Sequence, residues 1–482
     1  MKRSSGVLMH VSSLWGDHCC GSFGKSALQW VDFLAKSGFT YWQVLPFCMP
    51  DEFNSPYKSF STFSVNPYFV DIDILVEDGL LTPEEACMHP QTSPYRCEFD
   101  GLFPKRYALL SLAADRFAKK EGNLKLIDDF FKKFPHTDSF CRFMALKEAN
   151  GGAQWTEWTQ ESFDASCYTV WRFIQYTAIT QWLRIKSYAE AKGIKIIGDI
   201  PMYVALDSSD VWASPKMFKL DKSNRPDGIA GVPPDYFSAD GQVWGNPLYS
   251  WKEMKKDGYA WWRARMEFML TLFDGVRIDH FRALESYFSI PYGDENARRG
   301  KWIKGPGLGF IKALKETCGD SLIIAEDLGD INDEVRRLVK DSGYPGMRVL
   351  QFGFLSDDNS SEHLPHNYCA NCVAYTGTHD NNTLLGYVWE LDQNGKRRIT
   401  EYFDHPSEDW DNCYGRIITA MLASHADTVI FPVQDLLRFG ADTRMNTPGS
   451  SKGNWSYRIT FDQLSLLDSA DLLNKNKRYA RI

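Results

Sequence analysis

The sequence predicts an α/β fold: a (β/α)8 TIM barrel with inserted, mostly helical subdomains at the C-terminal face of the barrel. Three observations predict it. Eight short runs rich in Val, Ile, Leu and aromatics recur along the 482 residues. Helix-period segments lie between most of them, as strand–helix alternation in a parallel sheet requires. Acidic residues collect at the ends of the runs, where a barrel of eight parallel strands gathers its chemistry.

In chain order the runs are GVLMHV (6–11), YWQVLPF (41–47), IKIIGDIPMYV (194–204), DGVRIDHF (274–281), LIIAEDL (322–328), MRVLQFGF (347–354), CVAYTGTHD (372–380) and TVIFPVQD (428–435). SALQWVDFLAKSG follows the first run and FIKALKETCG precedes the fifth; both are helical, with lysine then glycine marking the stop. Two gaps are too long for single loops. Residues 48–168 form an expected inserted subdomain after the second strand, with helices in KRYALLSLAADRFAKK and LIDDFFKKF. YTVWRFIQYTAITQWLRIKSYAEAKG then reads as one long helix into the third strand. Residues 205–262 form a second insertion after that strand, rich in Pro, Gly and aromatics, expected as an ordered loop. GPGLG near residue 305 lacks the glycine spacing of a dinucleotide loop and reads as a loop too. After the eighth strand come the loop MNTPGSSKGNWSYR and a closing helix, so residues 1–482 are expected to form a single catalytic barrel.

Composition narrows the class. The net charge of −8, with no basic run, argues against nucleic acid and anionic membranes as partners. No apolar run approaches a membrane span, and the N-terminus lacks a signal-peptide pattern. Eleven scattered cysteines suggest a reducing, cytoplasmic setting. Cys369 and Cys372 form C-x-x-C without a second pair at zinc spacing and read as ordinary thiols. Aromatics make up 14% of the chain, including 16 Trp. They suit a bulky core, and also ligands that offer both C–H faces and hydroxyls, which describes sugars.

FDGVRIDHF concentrates the polar signal. Residues i and i+2 of a strand share a face, so Arg277 and Asp279 point together, away from Val276 and Ile278. The third strand ends in Asp199, the fourth in Asp279 and His280, the fifth in Glu326 and Asp327, the seventh in His379 and Asp380, the eighth in Asp435. The loop NSPY after the second carries Tyr57. A single strand-end Asp often caps a helix; the set, with an arginine and two histidines, points to chemistry. Two carboxyls at one barrel mouth equip a protein for glycosidic bond cleavage, about 5–5.5 Å apart in the retaining case. Arg277 is expected to keep Asp279 ionised, and apolar surroundings to keep Glu326 protonated.

These residues resemble those of the 4-α-glucanotransferases known as amylomaltases or disproportionating enzymes, relatives of the α-amylases. The resemblance spans nearly the whole chain and rests on GVLMHVSSL, NSPYKSFSTFSVNPYF, IIGDIPMYVA, PPDYFSADGQVWGNPLY, DGVRIDHFRAL, IIAEDLG, GTHDNNT and PGSSKGNW. It implies that Asp279 is the nucleophile, Glu326 the general acid/base and Asp380 a third carboxylate that grips sugar hydroxyls. It further implies that Arg277 and His379 bind the sugar at the cleavage point, that Tyr57, Asp199, Trp244 and His280 line subsites, and that Asn454 contributes from the last loop. It implies no cofactor and no metal. The implied partners are malto-oligosaccharides, maltodextrin or starch- and glycogen-derived glucans, with glucose as acceptor. The chain departs from the family pattern at HVSSLWGDHCCGSFG, at Asn382 of GTHDNN and at Tyr457 of NWSYR, none of which is one of the three carboxylates.

Three other readings stay open on residue types alone. A plain α-glucan hydrolase shares the chemistry up to the covalent intermediate. A metallohydrolase would use His10, His280 and His379 with nearby carboxylates, although these histidines stand singly; His10 otherwise reads as a hydrogen-bonded core histidine. A glucan-binding scaffold would need no nucleophile–acid pair.

Overall fold

The computed structural model describes residues 2–50, 53–87, 90–234, 239–405, 410–450 and 452–482. Residues 235–238 of the PPDYFSADGQVWGNPLY stretch and Ser451 of PGSSKGNW lie outside the described residues. The strands in chain order are β1 (Ser4–Leu8), β2 (Tyr41–Gln43), β3 (Lys195–Ile200), β4 (Gly228–Val232), β5 (Gln242–Pro247), β6 (Gly275–Ile278), β7 (Ser286–Pro291), β8 (Lys301–Lys304), β9 (Leu322–Ala325), β10 (Gly346–Val349), β11 (Cys372–Tyr375) and β12 (Thr428–Pro432).

Eight of these close a barrel in the order β1-β12-β11-β10-β9-β6-β3-β2. Each pair is parallel, with β1 meeting both β12 and β2. The barrel strands are the cores of the eight apolar runs. The runs overshoot because buried apolar side chains continue past the last paired residue: Val44, Leu45 and Phe47 are buried beyond β2. Barrel strands covered on both faces lose the alternation of a half-exposed strand, and β6 is buried at every position. Gly198 of β3 admits the Phe273 ring, which stands 2.2 Å from where a Cβ would sit.

Between β2 and β3 the chain is helical. Leu102–Ala118, Asn123–Phe131 and Ala165–Ala191 cover the three segments the periodicity predicts, and Pro135–Ala149 with the shorter Ile72–Glu77 and Pro83–Ala86 adds three that it misses. The long helix Ala165–Ala191 carries Trp182 into the core. There the Trp182 ring meets Phe47 edge-on at 4.6 Å, and its Nε1 donates to the Leu272 carbonyl at 2.7 Å. Such aromatic contacts contribute about 0.5–1.5 kcal/mol each beyond area burial. Trp30, Trp42, Trp171, Trp182 and Trp262 are all fully buried, so much of the aromatic content is core.

The stretch after β3 differs from the ordered loop expected there. It supplies β4 and β5, which join β7 and β8 from the segment after β6 in an antiparallel sheet of order β5-β4-β7-β8. GPGLG is likewise no plain loop: β8 immediately precedes it, and its last three residues open the helix Gly307–Cys318. β5 and β8 escape the pattern because they are partly exposed, and because they belong to a sheet assembled from segments remote in sequence.

Candidate active site

Barrel register builds the centre of the site. Asp199 of β3 stands opposite Arg277 of β6 in the parallel ladder. The Arg277 Nη1 group donates to both Asp199 oxygens, at 2.6 and 2.9 Å, and its Nη2 group donates to Asp279 Oδ1 at 2.7 Å. On the other side of β6, Ile278 pairs with Ala325 of β9. Asp279 and Glu326 are therefore the next residues on two neighbouring strands, which run about 4.8 Å apart. The register alone brings the two carboxyls to one place at the C-terminal end of the barrel.

Each carboxyl has its own setting. The Asp279 side chain keeps 30% of its surface open. Glu326 is 9% exposed and accepts backbone N–H groups on both oxygens, from His280 at 2.7 Å and Leu328 at 3.0 Å. Burial, then the Asp279 charge, pushes the Glu326 carboxyl up to about 8, against the pull of Arg277 and the Leu328 amide. The expected depression of Asp279 is not found. Burial raises its carboxyl above the usual range despite Arg277, and the Asp199 and Asp380 charges add to the rise. Burial thus outweighs the guanidinium, which Asp279 also shares with Asp199. Both carboxyls thus shift the same way. The direct ion pair to Arg277 and the open flank favour the charged form of Asp279 in a way that Glu326 lacks.

Around this centre a cleft of about 340 Å³ is lined by Tyr57, Trp244, Asp279, His280, His379, Asp380 and Trp455. Tyr57 stacks on His379 at 5.1 Å and 17°, while its hydroxyl donates to Asp199 Oδ2 at 2.7 Å. Trp455 flanks both rings, at 5.8 and 5.9 Å. His280 adopts a left-handed backbone, φ 48, which turns its N–H onto Glu326. Its ring meets Trp244 edge-on at 4.9 Å, and its buried Nε2 has no hydrogen-bond partner. Burial and the Arg282 charge pull this imidazole down to about 3, so it is neutral at any ordinary pH. Asp380 lies 3.3 Å from His379 Nε2 and accepts from Asn446 Nδ2 at 2.6 Å, while Arg444 donates to its backbone carbonyl at 2.6 Å.

Several expected residues sit elsewhere. Asp199 is fully buried beneath Arg277 and Tyr57, so it holds the site from below and does not line it. Arg277 is buried too, with both ends of its guanidinium on carboxylates. Asn454 does not reach the cleft; its side chain ties Thr447 and Ser450 within the last loop. Two neighbours take that place and were missed by sequence reasoning: Trp455, next in the GNW motif, and Asn446, from MNTPG in the same loop. Asp435 and Asp327 keep to structural bonds. Asp435 accepts from Thr376 Oγ1 at 2.5 Å and Leu384 N at 2.7 Å, and Asp327 accepts from Met347 N at 2.7 Å and from Arg348. His10 accepts from the Leu45 amide at 3.2 Å and packs between Phe47 and Phe69. Among the described residues no group of His, Cys, Asp and Glu is arranged to hold a metal ion.

Comparison with known proteins gives one consistent result. A family model described as 4-alpha-glucanotransferase matches residues 9–464. The chain is 42% identical over 502 residues to a 4-alpha-glucanotransferase of Streptococcus pneumoniae, covering 100% of this chain and 98% of that one. It is 40% identical over 492 residues to a 4-alpha-glucanotransferase of Clostridium butyricum, covering 98% and 99%. A solved amylomaltase from Streptococcus agalactiae in complex with acarbose matches with a TM-score of 0.95 at 36% identity, covering 100% of each chain.

Proposed function

The chain belongs to the 4-alpha-glucanotransferase family, and from that membership we propose how its cleft carries out the transfer. The enzyme moves an α-1,4-glucan segment from a donor malto-oligosaccharide to the 4-hydroxyl of glucose or of another glucan. Asp279 attacks the anomeric carbon while Glu326 gives its proton to the departing glycosidic oxygen. The shortened glucan leaves, and the retained segment stays as a glycosyl ester on Asp279. The acceptor hydroxyl then attacks the same carbon, Glu326 takes back the proton, and Asp279 is released. Two displacements retain the anomeric configuration.

The observation that carries this reading is the register of β6 against β9, which sets a partly open, Arg277-paired Asp279 beside a buried Glu326 held up to about 8. Asp380, fixed by Asn446, grips sugar hydroxyls. His379 binds at the cleavage point, and Arg277 serves that point through Asp279. His280 offers a neutral ring nitrogen without a partner, suited to a sugar hydroxyl. Tyr57 and Trp244 form the flanks, with Trp455 added. Asp199 acts through Arg277 and Tyr57.

Malto-oligosaccharides, maltodextrin and starch- or glycogen-derived glucans are the proposed substrates, and glucose an acceptor. The solved relative's complex with acarbose supports a sugar ligand here. Buried free thiols such as Cys48, Cys141 and Cys318 support a cytoplasmic setting. No helix among the described residues is long and apolar enough to cross a membrane.

Incubation with maltotriose followed by product separation tests the reaction. Glucose plus longer chains at a constant number of reducing ends is the expected result. Reducing ends that rise with time, without longer chains, would assign the protein to the hydrolases.

A further inference from the structure

Beyond the cleft that holds Asp279, the wall built by β5 continues into a second chamber of about 300 Å³. Trp244 of β5 faces the first chamber, Gly245 the second, and Asn246 both. Lys58, next to Tyr57, also borders both. The two spaces are therefore successive parts of one groove.

Sheet register decides what stands across from β5. Ile229 of β4 pairs with Pro247 of β5 on one side and with Ile290 of β7 on the other. The end of β7 is thus carried to the end of β5 across a single intervening strand, roughly 10 Å away. Tyr292, the residue after β7, lines the second chamber there with 52% of its surface exposed. Its ring makes no aromatic contact and its hydroxyl no hydrogen bond among the described residues. An aromatic left bare at the rim of a groove offers a flat face to a ligand.

The opposite wall is rigid. Asp207 accepts from Lys147 Nζ at 2.6 Å and from the Trp155 amide at 3.2 Å, and Lys147 also lies 5.1 Å over the Phe60 ring. On the β5 side, Asn246 Nδ2 is fixed on the Val204 carbonyl at 2.9 Å. By contrast, the Lys58 ammonium has no hydrogen-bond or ion-pair partner among the described residues, and it brings three donors to the junction. Among the described residues, an exposed ring on one side, a free donor at the entrance and no lining carboxylate without a partner suit a neutral, hydroxyl-rich chain.

We propose that this second chamber binds the sugars of an α-1,4-glucan remote from the bond being cut, with Tyr292 stacking on a sugar face and Lys58 donating to hydroxyls, so that it selects for chain length. The proposal rests on the transferase reading of the first chamber.

The test compares initial transfer rates to isotopically labelled glucose from maltotriose and from maltoheptaose, in the wild type and in Tyr292→Ala and Tyr292→Phe. Tyr292→Ala is expected to raise the KM for maltoheptaose at least fivefold more than the KM for maltotriose. Tyr292→Phe, which keeps the ring, is expected to hold the wild-type ratio of the two. An equal change in both KM values with Tyr292→Ala, or no change in either, would overturn the chamber's role. Failure of the transferase reading would show separately, as a wild type that carries no labelled glucose into oligosaccharides from either donor.

Discussion

Asp199 and Arg277 stand opposite each other on adjacent barrel strands, and both oxygens of the aspartate take the same guanidinium nitrogen, at 2.6 and 2.9 Å. Asp279 receives only the other nitrogen, at 2.7 Å. The charge partner of Asp279 is therefore itself held from beneath, by a carboxylate with no exposed surface.

Replacing Asp199 with Ala should accordingly damage both stability and rate. Removing one partner of a buried pair costs about 3–5 kcal/mol, because the other charge stays behind unsatisfied. Guanidinium unfolding should show that loss, and kcat should fall because Arg277 is released to swing. An Ala variant with wild-type unfolding would mean that the pair is dispensable to the fold.

Asp279→Asn and Glu326→Gln should each lower transfer by roughly a thousandfold or more, as removal of a nucleophile or a general acid requires. Both changes keep the side-chain shape, so melting temperatures should stay near the wild-type value. Normal turnover by either purified protein would refute the assignment.

The pH dependence follows from the shifts. Glu326 works with its proton on and is held up to about 8, so kcat/KM should decline as pH rises through about 8. Asp279 works ionised and is raised above the ordinary carboxylate range, so the acid-side decline should set in above pH 3.8. A maltosyl fluoride donor, whose leaving group needs no acid, should lose the alkaline limb of the first step. A profile that stays flat from pH 6 to pH 10 with an ordinary donor would contradict the Glu326 shift.

Tyr57 holds two contacts that can be separated. Phe at this position keeps the ring on His379 and loses only the hydrogen bond to Asp199, a loss of about 1–3 kcal/mol if Asp199 is left short of a donor. Ala removes the stack as well. The expected order of kcat/KM is wild type, then Phe, then Ala; equal values for Phe and Ala would place the whole role in the hydroxyl.

Asp210 offers a stability test away from the reaction. Burial raises its carboxyl to about 7, and its Oδ1 has no partner. A carboxyl raised on folding binds its proton more tightly in the folded state, so stability should fall as pH climbs from about 3.8 to about 7. The size is roughly 4 kcal/mol for such a difference. Asp210→Asn should flatten that decline in pH-dependent denaturant titrations.

The eight barrel strands were legible because each is an apolar run buried on both faces, and the site was legible because its carboxyls lie at the ends of those runs. What could not be read was partnership. Asp199, Asp279 and Asp435 look alike as strand-end aspartates. Asp435 serves the start of the helix Leu384–Glu390, a helix 51 residues away, and Asp199 serves Arg277. The opposed tuning expected for Asp279 and Glu326 failed because burial raises Asp279 too, and because one cation was counted against one carboxylate where the fold gathers several. The antiparallel sheet stayed hidden because β5 and β8 are partly exposed, and because its two halves come from separate parts of the chain.

That sheet takes β4 and β5 from the segment after β3, and β7 and β8 from the segment after β6. It splices the loop bearing Trp244 to the loop that departs from Asp279 and His280. Neither loop can be transplanted from a relative by itself, because half the ladder would be left without its mate; a chimera that alters product size must exchange both as a matched set.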